Sequence, residues 1–289
     1  SPIRAKKWLY LLAQAEYLTI SNNDDSNNPS YQLGNILTLF SDTEDRWWFY
    51  KEMLNSWRTV ESLNAFKVLR GGDVNFNIQW PPIAQGDVVS LEEWMSRTSL
   101  ATINILKEEL PLTNVKSVLD VGGGEATIAC SLAQVHPQIH FTVYNLPIAS
   151  SLGRKKVKEL NLTDNVNIVE GNFLIDQALP SNFDLILFSR VLCDWPDEVC
   201  DKLFKMSYEA LNEGGTLIIC EPFKNDNQNM MLVWEYRYMF WDSFGKAVFK
   251  DTTHYTKMLE KAGFSNFKIS QPNKNYIYRV VSATKNTTF

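Results

Sequence analysis

From residue 115 to the end of the chain, short apolar runs alternate with stretches of helical periodicity. The runs fall at 116–121, 139–144, 166–170, 183–189 and 215–220, and helices are predicted between them near 125–135, 147–160 and 196–211. Runs apolar on both faces suit parallel strands covered by helices on each side. The rhythm changes at the end. A helix over 252–262 is closed by Gly263, then a strand over 265–270, a Pro/Asn turn and a second strand over 275–283 follow. Two strands joined by so short a link pair antiparallel. The pattern predicts an α/β fold: a Rossmann-like, mostly parallel doubly wound sheet with an antiparallel C-terminal hairpin.

The first 110 residues read differently. Residues 3–16 form an amphipathic helix with Trp8, Leu11 and Leu12 on its apolar side. Tyr17 to Ile20, a polar turn and Tyr31 to Leu33 then predict a β-hairpin wing. A helix followed by a wing is the second half of a winged helix, used either to bind DNA or to pack and dimerise. Aromatic-rich helices over roughly 43–66, a Gly/Pro-bearing loop at 71–87 and one long helix from Ser90 to Leu110 complete this region. The expected division is a helical, partly winged dimerisation and acceptor-binding region over 1–110 and a ligand-binding α/β domain over 111–289. The chain begins at Ser1 and is already helical by Ile3, so it reads as a domain cut from something longer.

Composition narrows the function. With 45% hydrophobic residues in 289, the chain has the material for a full core. A net charge of −5 gives no basic footprint for nucleic acid, so the winged region reads as packing or dimerisation rather than DNA binding. No apolar stretch has the length of a membrane span, and no signal peptide is evident. Cys130, Cys193, Cys200 and Cys220 lack metal-ligand or disulfide-framework spacing, which suits reduced thiols in a cytoplasm. Neither they nor the three scattered histidines propose a metal site.

The most informative segment is Ser117-Val-Leu-Asp-Val-Gly-Gly-Gly-Glu-Ala-Thr127. An apolar strand ends in three glycines and runs straight into a helix. A ligand meets bare backbone and unpaired N–H groups there. A dinucleotide fingerprint requires a third glycine where this chain has Thr127. Asp120, just before the turn, would repel a pyrophosphate and suits a ligand with an ammonium group. S-adenosylmethionine is such a ligand.

The motifs in series make the likeness specific. The order Val118-Leu-Asp-Val-Gly-Gly-Gly124, His136-Pro137, Tyr144-Asn-Leu-Pro147, Glu170-Gly-Asn-Phe173, Phe188-Ser-Arg-Val-Leu-Cys-Asp-Trp195, Glu221-Pro222 and Lys261-Ala-Gly-Phe264 resembles the class I small-molecule O-methyltransferases. These include the plant caffeic-acid and flavonoid enzymes and the bacterial hydroxyneurosporene type. The resemblance covers about residues 3–283. It implies an N-terminal winged-helix dimerisation region, whose opening helices are missing here, and a Rossmann-like catalytic domain. It also implies methyl transfer from S-adenosylmethionine to an oxygen of a small acceptor, leaving S-adenosylhomocysteine. With the missing helices present, a homodimer is expected.

Carried over by position, the resemblance places Asp120 and the turn Gly122, Gly123 and Gly124 along the methionine part of the cofactor. The acid that holds the ribose hydroxyls falls on Asn145, followed by Leu146. The acid at the adenine falls on Asn172, with Phe173 against the ring. Ser189 falls at the methionine end and Ser99 within reach of the carboxylate. Met95 and Trp195 fall beside the acceptor, and the aromatic block 230–241 offers Trp234, Tyr238 and Trp241 for an apolar acceptor pocket.

Three departures from the family pattern carry consequences. Glu125 and Ala126 stand where the turn usually has Ser or Thr and then Gly. Asn145 and Asn172 keep an acceptor oxygen but lose the charge, which implies a weaker cofactor grip. Cys193 occupies the position of the histidine that takes the acceptor's proton, next to Asp194 and with Glu221 as the flanking acid. A general base is worth ~10²–10⁴-fold. A thiol of pKa ~8.5 is a poor one at neutral pH. The sequence leaves three solutions open: an acceptor that is already ionised, such as a carboxylate giving a methyl ester; a base supplied by Glu221 or His254; or a Cys193 that only packs. The alternative to an enzyme is a cofactor-binding relative that has lost or changed its methyl transfer.

Overall fold

The computed structural model describes residues 9–13, 17–21, 30–33, 81–224, 249–272 and 278–286. The chain forms two compact units, Ser1–Ser62 and Leu63–Phe289. In the first, residues 9–13 are helical, and the expected hairpin is present as β1 (Leu18–Ser21) and β2 (Ser30–Leu33), paired antiparallel with Leu18 opposite Leu33. Leu11, expected on the buried side of the helix, is 54% exposed. The less exposed positions are Leu9, Leu12 and Ala13, whose i, i+3, i+4 spacing defines a different stripe. Trp8 lies outside the described residues.

In the second unit the long helix expected over Ser90 to Leu110 is two helices, α1 (Gln85–Arg97) and α2 (Leu100–Glu109). The break is chemical. Thr98 Oγ1 donates to Trp94 O at 2.8 Å and Ser99 Oγ to Ser96 O at 2.7 Å, so two adjacent hydroxyls compete for carbonyls of the last turn. Ser99 then serves as the N-cap residue of α2, with its carbonyl accepting from Ile103 N.

The alternating elements follow as predicted to within a few residues. They are β3 (Ser117–Val121), α3 (Thr127–Val135), β4 (His140–Asn145), α4 (Pro147–Glu159), β5 (Val166–Glu170) and β6 (Phe183–Ser189). A 3₁₀ turn (Leu192–Asp194), α5 (Asp197–Ala210), β7 (Leu211–Pro222), α6 (Thr252–Lys261), β8 (Phe264–Ile269) and β9 (Tyr278–Lys285) complete the unit. Strand β7 starts earlier than the apolar run suggests, because Leu211 pairs with Phe183 across an irregularity before Thr216.

The seven strands lie in the order β5-β4-β3-β6-β7-β9-β8. Strands β3 to β7 pair parallel, and β9 inserts antiparallel between β7 and β8. Alternate residues feed two apolar layers. Leu119, Ile186, Leu217 and Val281 pack with α5 and α6, while Val118, Leu185, Ile218 and Val280 pack with α2 and α3. The chain order reverses direction between β3 and β6, so a crevice opens at the C-terminal ends of these two strands. The glycine turn leaves β3 there, and the Ser189-Arg190 step leaves β6. Among the described residues no helix is long and apolar enough to cross a membrane.

Candidate active site

Asp120 is the last polar residue of β3 before the glycines. It is 1% exposed, and neither carboxylate oxygen has a hydrogen-bond partner. Burial pushes its pKa up to about 7, against a smaller downward pull from the Arg190 guanidinium. The turn is shaped by what surrounds it. A Cβ at Gly123 would collide with the Asp120 carboxylate, and one at Gly124 (φ +57) with the carboxylate of Glu92. Glu92, on α1, is also buried, and its Oε2 accepts the Glu125 amide at 2.9 Å. Its pKa rises to about 7, chiefly through desolvation. Two buried carboxylates thus bracket one stretch of bare backbone.

Ala126 ends the turn with φ 68 and no exposure, a left-handed conformation that costs an L-residue roughly 1–2 kcal/mol. Glu125 beside it pairs with Lys156, whose ammonium also donates to Thr127 Oγ1 at 2.6 Å and Ser96 Oγ at 3.0 Å. This network ties α1, the turn and α4 together.

Asn145 and Asn172 stand at the C-terminal edge as the motif order predicts. Each amide oxygen already has a backbone partner: Asn145 Oδ1 accepts from Leu146 N at 2.8 Å, and Asn172 Oδ1 from Leu174 N at 3.0 Å. The Asn172 backbone N–H donates to Asp176 Oδ2, which also receives the Tyr144 hydroxyl at 2.5 Å. Phe173 meets Trp195 edge to face, with ring centroids 5.5 Å apart. Trp195 itself is buried in the apolar layer, and its carbonyl accepts Lys250 Nζ at 2.7 Å.

Ser189 ends β6 with a buried hydroxyl that has no partner. Ser99, by contrast, already donates its proton to Ser96 O. Met95 is half-buried on α1, and its carbonyl is held by Arg190 Nη2 at 2.7 Å.

Glu221, at the end of β7, is fully buried. Its Oε1 accepts from Val191 N at 2.7 Å and Leu192 N at 2.9 Å, the two amides that open the 3₁₀ turn. Oε2 is buried without a partner, and burial pushes the carboxyl up to about 7. Cys193 sits inside this turn, 6% exposed, with Sγ 3.9 Å from Asp194 Oδ1. Burial, then the Glu221 and Asp194 charges, push the thiol well above its ordinary value. At neutral pH it is a thiol, not a thiolate. The other cysteines are likewise buried and free. His254 is on the surface of α6, with Nε2 2.8 Å from Asp197 Oδ2. Trp234, Tyr238 and Trp241 lie outside the described residues. Among the described residues no cluster of His, Cys, Asp and Glu could hold a metal ion.

The structure therefore brings Asp120, the glycine turn, Asn145, Asn172, Ser189, Cys193, Asp194 and Glu221 to the C-terminal ends of β3, β4, β5, β6 and β7. Sequence reasoning assigned no role to Glu92 or Arg190. Arg190 was within a quoted motif, and Glu92 lies one helical turn before Met95, but only the fold shows that Arg190 acts on Asp120 and that Glu92 meets the glycine turn.

The O-methyltransferase domain family matches residues 86–265, well over half of the chain. The chain belongs to this family. Among curated relatives, the L-tyrosine C(3)-methyltransferase of Streptomyces lavendulae is 31% identical over 163 residues, 55% of this chain and 44% of that protein. The bacteriochlorophyllide d C-20 methyltransferase of Chlorobaculum tepidum is 26% identical over 218 residues, 74% of this chain and 63% of that protein. The chain thus spans roughly half of the lengths of these relatives. Among solved structures, the S-adenosylmethionine-dependent methyltransferase SibL shares the fold with a TM-score of 0.77, at 22% identity over 98% of this chain and 85% of that one.

Proposed function

We propose that this chain is the catalytic part of an S-adenosylmethionine-dependent methyltransferase that acts on an oxygen of a small, largely apolar acceptor. The observation that carries this reading is Asp120, a buried carboxylate with two unpartnered oxygens under a turn of bare backbone. A buried acid in that state suits a cationic ligand. The ammonium of the cofactor's methionine part supplies the missing partner, and the Ser189 hydroxyl stands free to bond the same end. Asn145 would hold the ribose, while Asn172 and Phe173 would hold the adenine. Bound there, the cofactor supplies an electrophilic methyl carbon on a sulfonium. The protein's share is to orient the acceptor, keep water out and accept a proton. Family membership and the S-adenosylmethionine-dependent neighbour support the same cofactor.

Two acceptor chemistries answer the missing histidine. A carboxylate needs no base, but Glu221, Asp194, Asp120 and Glu92 make these surroundings acidic, which works against a second anion. A neutral hydroxyl is therefore the better acceptor. Two of the relatives are named for methylation at carbon, which favours one further reading, transfer to a ring carbon activated by a neighbouring hydroxyl.

The test is methyl transfer from isotopically labelled S-adenosylmethionine to panels of phenols and of carboxylic acids, read by mass spectrometry. Labelled aryl ethers support the proposal, and labelled ring carbons the further reading. Methyl esters alone overturn the hydroxyl assignment. Cofactor binding without transfer to either panel marks a relative that has lost its chemistry.

A further inference from the structure

The thiol that replaces the family histidine is held against a buried carboxylate with one oxygen to spare. Oε1 of Glu221 is occupied by the amides of Val191 and Leu192, which fixes the 3₁₀ turn and with it the position of Cys193. Oε2 is buried and has no hydrogen-bond partner. Cys193, the next residue of that turn, has Sγ 3.9 Å from Asp194 Oδ1, and the Glu221 charge acts on the thiol. The 3₁₀ turn leaves the C-terminal end of β6, the edge at which such sheets bind their ligands. From this geometry, and resting on the methyltransferase reading above, we infer that Glu221 is the terminal proton acceptor of the reaction and that the Cys193 thiol conducts the proton to it.

The step balances. As the acceptor oxygen forms its bond to the methyl carbon, the methyl–sulfur bond breaks and its electron pair stays on sulfur. The hydroxyl proton passes to Cys193 Sγ while the thiol's own proton passes to Glu221 Oε2. The thiol ends as it began, and the carboxylate ends as a carboxylic acid that later returns its proton to solvent. Cys193 is thus never a thiolate, which agrees with the rise in its pKa caused by burial.

The groups that face Glu221 leave it as the base. Cys193 and Asp194 face it from the 3₁₀ turn, Cys200 from α5, Cys220 from β7 itself and Tyr255 from α6. Burial raises all three thiols and the Tyr255 hydroxyl, so none of these gives up a proton near neutrality. Among the described residues two cations act on the cluster: Lys250 on Cys193 and Cys200, and Arg190 on Cys220. Glu221 titrates at about 7, where a general base is most effective.

The test uses the S–H stretching band in the infrared, on protein without cofactor or acceptor. The Cys193 band is assigned by its loss in Cys193→Ser. It should move to lower frequency with undiminished intensity as pH rises through about 7, because the thiol then donates to a carboxylate rather than to a carboxylic acid. In Glu221→Gln, whose amide oxygen still accepts the Val191 and Leu192 amides, the band should not move. A band insensitive to pH in the wild type, or one that vanishes below pH 9, overturns the inference. If Glu221→Gln does not fold, the wild-type titration against Cys193→Ser decides alone. With a phenol accepted by the wild type, Glu221→Gln and Cys193→Ala should each lose ~10²–10⁴-fold in rate while S-adenosylhomocysteine affinity stays constant. Full activity in Glu221→Gln overturns the relay. A wild type that binds no S-adenosylhomocysteine instead overturns the underlying methyltransferase reading, and the infrared result stands apart from it.

Discussion

Arg190 Nη2 donates a 2.7 Å hydrogen bond to the carbonyl of Met95. Nη1 donates to Thr98 Oγ1 at 2.8 Å, so one guanidinium from the end of β6 fastens the step between α1 and α2. Arg190 has φ 57, and its charge also acts on Asp120 and Glu92. This one side chain joins the sheet to the helix break, and its charge reaches the carboxylate beneath the glycine turn.

Replacing Arg190 by Met removes two charge-assisted hydrogen bonds and leaves Asp120 without its neighbouring cation. The expected loss is about 2–3 kcal/mol of stability. In a unit of this size that lowers Tm by roughly 4–10 °C, readable by scanning calorimetry. Hydrogen exchange should also quicken in the last turn of α1. An unchanged Tm would contradict the role assigned to Arg190.

Asp120 makes stability depend on pH in a defined direction. Its pKa is raised to about 7 in the folded protein, whereas a free carboxyl titrates near ~4. The stabilisation from holding that proton is complete below the unfolded value. It is lost as pH rises toward the folded value. Asp120→Asn should therefore be stabilised relative to the wild type at pH 8 and much less so at pH 4, by an amount on the order of a few kcal/mol. Thermal melts of both proteins at the two pH values check this. A difference that grows toward acid would contradict it.

Much of this architecture was readable in the chain because its signals are local. Apolar runs such as 116–121 and 183–189 lie within a residue of β3 and β6, since a strand buried on both faces leaves an unbroken hydrophobic run. The glycine turn after β3 and the positions of the two asparagines at the ends of β4 and β5 likewise follow the motif order. What escaped depends on contacts distant in sequence. The split between α1 and α2 follows from hydroxyl–carbonyl competition at Thr98 and Ser99 and from Arg190, 92 residues away from Thr98. Periodicity is blind to such a contact. Glu92 looked like an ordinary polar position of a helix, and only the packing of Gly124 against it reveals a buried acid at the site.

Restoring the charges at the proposed cofactor site should tighten it. Asn145→Asp keeps an oxygen for the Leu146 amide and adds an anionic one for the ribose hydroxyls. The expected gain in S-adenosylhomocysteine affinity is about tenfold, roughly 1.4 kcal/mol. Asn172→Asp should act in the same direction, its first oxygen retained by the Leu174 amide. Titration calorimetry on the two variants measures this. Weaker binding in both would mean that the ribose and adenine lie elsewhere.

The central claim is that Asp120 and the turn above it receive the cationic end of S-adenosylmethionine. The most direct measurement is isothermal titration of the wild type and of Asp120→Asn with S-adenosylhomocysteine, with NAD as the control nucleotide. The account predicts saturable binding of S-adenosylhomocysteine, a loss of affinity of about tenfold or more in Asp120→Asn, and no binding of NAD. Binding of NAD without S-adenosylhomocysteine, or equal affinity in wild type and variant, would contradict it.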